Sequence, residues 1–351
     1  MNDRVRLPAI IGVIAAVSLG TVGIGDRVQA QEPIPGTWTF LSSPHADLWF
    51  HGLALVGFQG FAPMPLYGRG YAEAIEVAKR SAGVYPTPLD TLASRFRAGF
   101  EQDSTFELLH FVPLYFGLTD VGDMLEALQR VAAGDGPMDF GSNIVANILQ
   151  NREQRQILQE FVAALSDEWE LFYQPYWREQ RSERRQWIAA AQRTWDRELA
   201  PALGPWLVSR NLLGGVVLTA EAVGPEGRIF KGDPEDASDN VTAVMLPPDD
   251  SGSPALSLVR ELCYPLVSEL VESQGIATGD RVFAERISSR AAVWCGTLLL
   301  EQHAPEFADQ YRQLFLAQVG QTGSSKDAFE RAFAVDAALL QALSDALGIT
   351  N

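Results

Sequence analysis

The chain has 351 residues, 47% hydrophobic and 20% charged, with 44 Asp and Glu against 27 Lys and Arg, a formal net charge of −17. That balance excludes the basic footprint of a nucleic-acid binder, and eight Trp with 10% aromatic residues exclude a disordered chain. Two Cys and four His exclude a zinc ribbon or a multi-disulfide scaffold.

Met1–Arg6 carries Arg4 and Arg6, Leu7–Gly25 is apolar and free of charge, and Val28 and Ala30 stand at the −3 and −1 positions of a small-residue cleavage site. This layout predicts a signal peptide over residues 1–30, cleaved after Ala30, and a secreted or periplasmic protein. The alternative is a retained anchor, since about 19 apolar residues are long enough to span a bilayer. No Cys lies near the junction and no Arg-Arg pair precedes it, which argues against lipoprotein processing and twin-arginine export. Residues 1–30 hold three Arg and two Asp, so the remainder carries a formal −18. No later stretch is long and apolar enough to cross a membrane.

After a Pro-Ile-Pro-Gly tether (33–36), Leu48, Trp49, Leu53 and Val56 recur at helical spacing over Ala46–Phe58. Phe61–Gly70 reads as a loop, and helices are predicted over Tyr71–Ala82, from Thr87-Pro88 to about Gln102, and over Thr105–Phe116, Val121–Ala133, Ser142–Asn151 and Arg152–Tyr173. Pro175 interrupts, and Trp177–Leu207 is again helical.

The period then changes. Gly214–Ala220 is a β run, Gly224-Pro225-Glu226-Gly227 a turn and Arg228–Lys231 a second strand, together a predicted hairpin. Asp233–Asn240 is an acidic loop, and Val241–Leu246 a third strand. Helices follow at about 255–273, 280–302, 304–319 and 325–347. The expected fold is therefore α+β and predominantly helical, with a small three-stranded antiparallel sheet. A mostly helical region over 31–210 precedes a sheet-plus-helix region over 211–351.

The helix after the third strand contains Arg260-Glu261-Leu262-Cys263-Tyr264, led in by the apolar Leu256–Val259. It resembles the HExxH helix of gluzincin metallopeptidases, which also follows a small sheet. The wider chain looks like secreted bacterial proteins that carry intact or decayed versions of such a helix. In HExxH, two His one turn apart hold zinc, and the Glu takes a proton from the metal-bound water. The resemblance places Arg260 and Tyr264 at the two ligand positions and Glu261 at the general-base position, with Glu285 and Glu301 candidates by spacing for the downstream Glu ligand. An Arg side chain stays protonated and cannot ligate zinc. The resemblance thus implies a metal-free degenerate peptidase that needs no cofactor and binds a peptide or protein. The alternatives are an active metal-dependent hydrolase with other ligands, a structural or interaction module of the cell envelope, and a helical domain with no zincin ancestry.

Two further expectations attach to this helix. A buried Arg260 needs a carboxylate partner, with Glu285 first and Glu301 second. Cys263 and Cys295 fall on successive helices, and export to an oxidising compartment predicts a disulfide between them. Elsewhere the residues read as architecture. His45 and His51 point apart on one helix, and His110 lies in an aromatic segment. His303 is placed partly exposed at a helix junction. Arg178, Arg181, Arg184 and Arg185 interleave with Glu179 and Glu183 as a solvated helix face. Trp169, Trp177, Trp187, Trp195 and Trp206 read as core or cleft lining.

Overall fold

The computed structural model describes residues 37–59, 64–230, 240–246, 252–276, 281–321 and 325–349. The expected signal peptide and its cleavage site, and most of the acidic loop, lie outside these residues.

Strand β1 (Trp38–Leu41) opens the fold and leads into α1 (Pro44–Val56), whose first turn begins on a proline and whose end is capped by Gly57 at φ +71°. Helices α2 (Tyr71–Ala82) and α3 (Pro88–Gln102) follow, the latter started by a reciprocal capping box between Thr87 and Asp90. A 3₁₀ segment (Ser104–Phe111) runs into α4 (Val112–Phe116), then α5 (Val121–Ala133) and α6 (Phe140–Ile148). A long helical rod comes next: α7 (Arg152–Glu168), α8 (Gln174–Thr194) and α9 (Ala200–Ser209), joined without a break by π turns at Trp169–Tyr173 and Trp195–Leu199. Each π turn lies just ahead of a proline, Pro175 or Pro201. A widened turn absorbs the missing donor and the ring that would otherwise break the rod.

Strands β2 (Gly215–Ala220), β3 (Arg228–Phe230) and β4 (Val241–Met245) complete the sheet, followed by α10 (Ser253–Ser273), α11 (Arg281–His303), α12 (Pro305–Gln318), α13 (Lys326–Ala332) and α14 (Ala337–Leu347). The predominantly helical prediction therefore holds among the described residues, although 325–347 forms two helices rather than one and Pro175 lies within the rod instead of interrupting it, and the sheet prediction does not hold. The sheet has the order β1-β2-β4-β3. Strands β1, β2 and β4 run parallel, with Trp38 opposite Gly215 and Val216 opposite Val241. Only the three-residue β3 is antiparallel, and it pairs with β4 rather than forming a hairpin with β2.

The physical reason is burial on both faces. Val216, Leu218 and Ala220 of β2 belong to a core shared with α1–α8, while Val217 belongs to a second core shared with α9–α14. Every residue of β2 and β4 is buried. Strands sandwiched between two helical layers read as continuous apolar runs and pair in parallel, whereas a half-solvated antiparallel sheet alternates. Trp38 and Phe40 of β1, and Ala191, Trp195 and Leu203 of the rod, pack with the C-terminal helices. The two cores thus do not divide at residue 210.

Candidate functional site

The motif helix α10 lies against β4 and is buried almost continuously from Ser253 to Cys263. Arg260 is wholly buried. Its Nη1 donates to Glu261 Oε1 at 2.5 Å, and its Nη2 donates to Glu226 Oε1 at 2.5 Å and to Ser289 Oγ at 3.2 Å. Ser289, on α11, closes the ring by donating to Glu226 Oε2 at 2.6 Å. Glu226 comes from the turn between β2 and β3. A Cβ at the neighbouring Gly227 would stand 2.6 Å from the Glu261 carboxyl carbon and 2.7 Å from the Ala243 carbonyl oxygen. The missing side chain is what lets this turn press against α10.

Burial by itself would favour loss of the Arg260 proton. The Glu226 and Glu261 carboxylates outweigh that and hold the guanidinium firmly charged. One turn along α10, Tyr264 lies 5.4 Å from the guanidinium carbon by its ring centroid and donates its hydroxyl to Glu285 Oε2 at 2.5 Å. Burial, then the Glu285 charge, pushes the Tyr264 phenol well above its ordinary range.

The structure brings together Arg260, Glu261, Tyr264 and Glu285, but not in the expected pairing. The partners of Arg260 are Glu226 and its own neighbour Glu261, and Glu285 is taken by Tyr264. Glu301 is an exposed residue bound to Arg312 on α12. Sequence spacing missed Glu226 because it lies 34 residues upstream in a loop. The sole cue was that Gly227, beside it, permits close approach.

The expected disulfide is also absent: Cys263 and Cys295 are both free, buried thiols. They stand on the packed helices α10 and α11, and burial, followed by the nearby Cys295, raises the Cys263 thiol well above its usual range. The pairing of helices was anticipated correctly, and the covalent bond was not.

These residues do not fit zinc. A guanidinium repels a cation, and the Tyr264 hydroxyl keeps its proton and spends it on Glu285. Among the described residues, no group of three or more His, Cys, Asp or Glu is placed to hold a metal ion.

Two polar clusters in the N-terminal layer were not foreseen. His51 Nε2 lies 2.9 Å from Glu168 Oε1 and His51 Nδ1 lies 2.9 Å from Tyr71 Oη. An ionised carboxylate only accepts, so Nε2 carries the proton and Nδ1 accepts from Tyr71. Glu168 also receives Lys79 Nζ at 2.8 Å and Thr87 Oγ1 at 2.6 Å, and Lys79 reaches Asp90 at 2.8 Å. Burial works against the Glu168 charge, but His51 and Lys79 prevail and pull its carboxyl down to about 2.

The second cluster lies past the carboxyl ends of β1 and β2. Arg184 pairs with Asp47 at 2.9 Å and Glu221 at 2.7 Å, and Trp177 donates to Asp47 at 2.8 Å. Arg184 is thus removed from the solvated face expected for it. The signal was present, since Trp177, Arg184 and Ala191, each seven residues apart, are the buried stripe of α8. His110 is the core histidine it reads as, stacked on Phe58 at 4.6 Å, His303 is half-buried, and His45 is buried beside Ser43 at 2.5 Å. Trp177, Trp195 and Trp206 are core residues.

Compared with protein-family models, curated proteins and solved structures, the chain matches none.

Proposed function

We propose that this chain is a secreted zincin-like protein in which a guanidinium takes the place of the metal and binding takes the place of catalysis. The observation that carries the reading is the pair of 2.5 Å contacts from Arg260 to Glu261 and Glu226. The carboxylate at the general-base position is held by a permanent cation that can bring no activated water to it. The 2.5 Å contact between Tyr264 and Glu285 supports the same reading. It joins the position that the resemblance assigns to the second His ligand to one of the two candidates for the downstream Glu ligand. The partner is an extended peptide or protein segment, and its place of addition is β3, the last strand in the order β1-β2-β4-β3 of the described sheet. Export rests on the first thirty residues and is checked by N-terminal sequencing of the exported protein, expected to begin at Gln31.

The decisive experiment combines elemental analysis after dialysis with cleavage of casein. The wild type is expected to hold no stoichiometric zinc and to cleave nothing. The double variant Arg260→His with Tyr264→His, if it folds, is expected to gain zinc. About one zinc per wild-type chain, or cleavage that disappears in Glu261→Gln with the fold intact, overturns the proposal.

A further inference from the structure

Leu118, Met138 and Phe140 are 42%, 54% and 51% exposed, and they supply three of the eight large hydrophobic side chains that face solvent among the described residues. All three bracket one corner of the N-terminal layer. A Cβ at Gly141 would stand 2.9 Å from the Phe116 ring and 3.0 Å from the Tyr115 carbonyl oxygen, so the start of α6 presses on the end of α4. Leu118 leaves that contact just after Phe116, and Phe140 enters it just before Gly141. Ser142 Oγ accepts from the backbone N–H of both Met138 and Asp139, which folds Met138 onto the same first turn of α6.

The surroundings are acidic. Residues 98–151 hold eight Asp and Glu against a single Arg, Arg130, a local charge of −7. Asp120 caps α5, Asp123 and Glu126 follow on its exposed side, and Asp135 and Asp139 flank Met138. Among the described residues, none of these five acids lies within ion-pair distance of a cation of the chain. The buried acids Asp47, Glu168 and Glu226 are each held by an Arg or a Lys. The corner therefore leaves both apolar surface and negative charge unmatched.

We propose that this corner is a docking surface for a cationic amphipathic segment of a partner protein, one whose apolar side chains are flanked by Lys or Arg. Phe140, Met138 and Leu118 supply the apolar anchors, and the acids steer and orient the incoming cations. A second copy of this chain is a poor occupant, because a two-fold contact through the same corner brings two faces of −7 together. An anionic membrane meets the same repulsion. The inference does not depend on the zincin-like reading, which rests on α10 and the sheet.

The test titrates the full chain with a labelled helical peptide of about 18 residues, Leu on one face and Lys on the other, and reads fluorescence anisotropy. A scrambled peptide of the same composition is expected to bind about tenfold more weakly. Met138→Ser with Phe140→Ser changes two exposed side chains, so melting should stay as in the wild type while peptide affinity falls about tenfold. Asp123→Asn with Glu126→Gln should weaken binding several-fold and reduce its loss between about 50 and about 500 mM NaCl. Glu269→Gln with Glu272→Gln, which neutralises two exposed acids on the last turns of α10, should leave binding unchanged. Equal losses from the two neutralised pairs would show attraction to net charge alone and overturn the proposal. So would a scrambled peptide that binds as well, or full affinity in the serine variant. Self-association of the wild type, or its flotation with phosphatidylcholine vesicles, that the serine variant abolishes would give the corner to another occupant and overturn it too.

Discussion

At the scale of single residues, the molecule places charge where water does not reach and then satisfies it. Arg260 shows the consequence most sharply, because its guanidinium is the common partner of two buried carboxylates. Arg260→Ala leaves Glu226 and Glu261 buried with their shared cation gone, which is expected to cost about 3–5 kcal/mol. Replacing the whole set, Arg260→Met with Glu226→Gln and Glu261→Gln, removes charge and counter-charge together and should recover most of that loss. Urea unfolding of both variants decides the matter, and a triple variant no more stable than Arg260→Ala would show that the ion pairs are not the cause.

The buried histidines give a second prediction at this scale. Burial lowers His51 from 6.5, and it lowers His45 to about 4. In the folded protein these rings bind protons less readily than in the unfolded chain, so protonation favours unfolding. Their contribution is complete above about 6.5 and is lost as the pH falls below it, and for His45 alone it amounts to about 3 kcal/mol by pH 4. Glu168, lowered to about 2, adds a second loss that begins below its unfolded value of 4.5. The melting temperature should therefore be flat near pH 8, fall from about 6.5 downward, and fall less in His45→Gln than in the wild type. A wild-type melting temperature that stays level down to pH 4.5 would contradict this assignment.

At the scale of elements, what was legible in the sequence and what was not have separate physical causes. Helices announced themselves through apolar spacing and caps such as Thr87–Asp90, so most were located among the described residues, while the expected helix over 325–347 is split in two where Asp336 caps a new start. The sheet was located correctly in β2, β3 and β4 but mispaired. Proximity in sequence suggested a β2–β3 hairpin, while the uninterrupted apolar character of Gly215–Ala220 and Val241–Met245 was the mark of parallel strands buried on both faces. Strand β1 was missed because four residues behind a Pro-Gly segment carry almost no periodicity. At the motif, side-chain identity made Arg260 a cation in need of acids, but only the folded turn shows that Glu226 supplies one. The missed strand nonetheless anchors the sheet. Trp38 is buried, donates to the Leu212 carbonyl at 2.9 Å, and packs in the C-terminal core. Trp38→Ala should cost about 3–5 kcal/mol in denaturant unfolding. A cost below about 1 kcal/mol would mean that β1 is dispensable.

At the scale of the whole molecule, the sheet is the shared wall of two helical layers. One face of β2 supplies Val216, Leu218 and Ala220 to the N-terminal core, and the other supplies Val217 to the C-terminal core. Neither layer can close without that wall, and β1 joins it from the far end of the sequence, paired with β2 from Trp38 to Leu41. The change of period near residue 210 marks the passage from a mostly helical region to a sheet-plus-helix region of one expected unit. The packing argues that a chain cut there loses twice: residues 211–351 would lack β1 and expose the apolar face of β2 that α1–α8 cover. Exposed, unpaired apolar strands also associate with one another. The fragment 211–351 is therefore expected to be insoluble or to lack a cooperative melting transition. The intact protein should unfold in one step, with Trp294 in the C-terminal core and Trp49 in the N-terminal core, each kept as a lone reporter, giving the same midpoint. Should the fragment prove soluble and cooperatively folded, or the two reporters give midpoints well apart, the layers would be independent domains and the sheet only their point of contact.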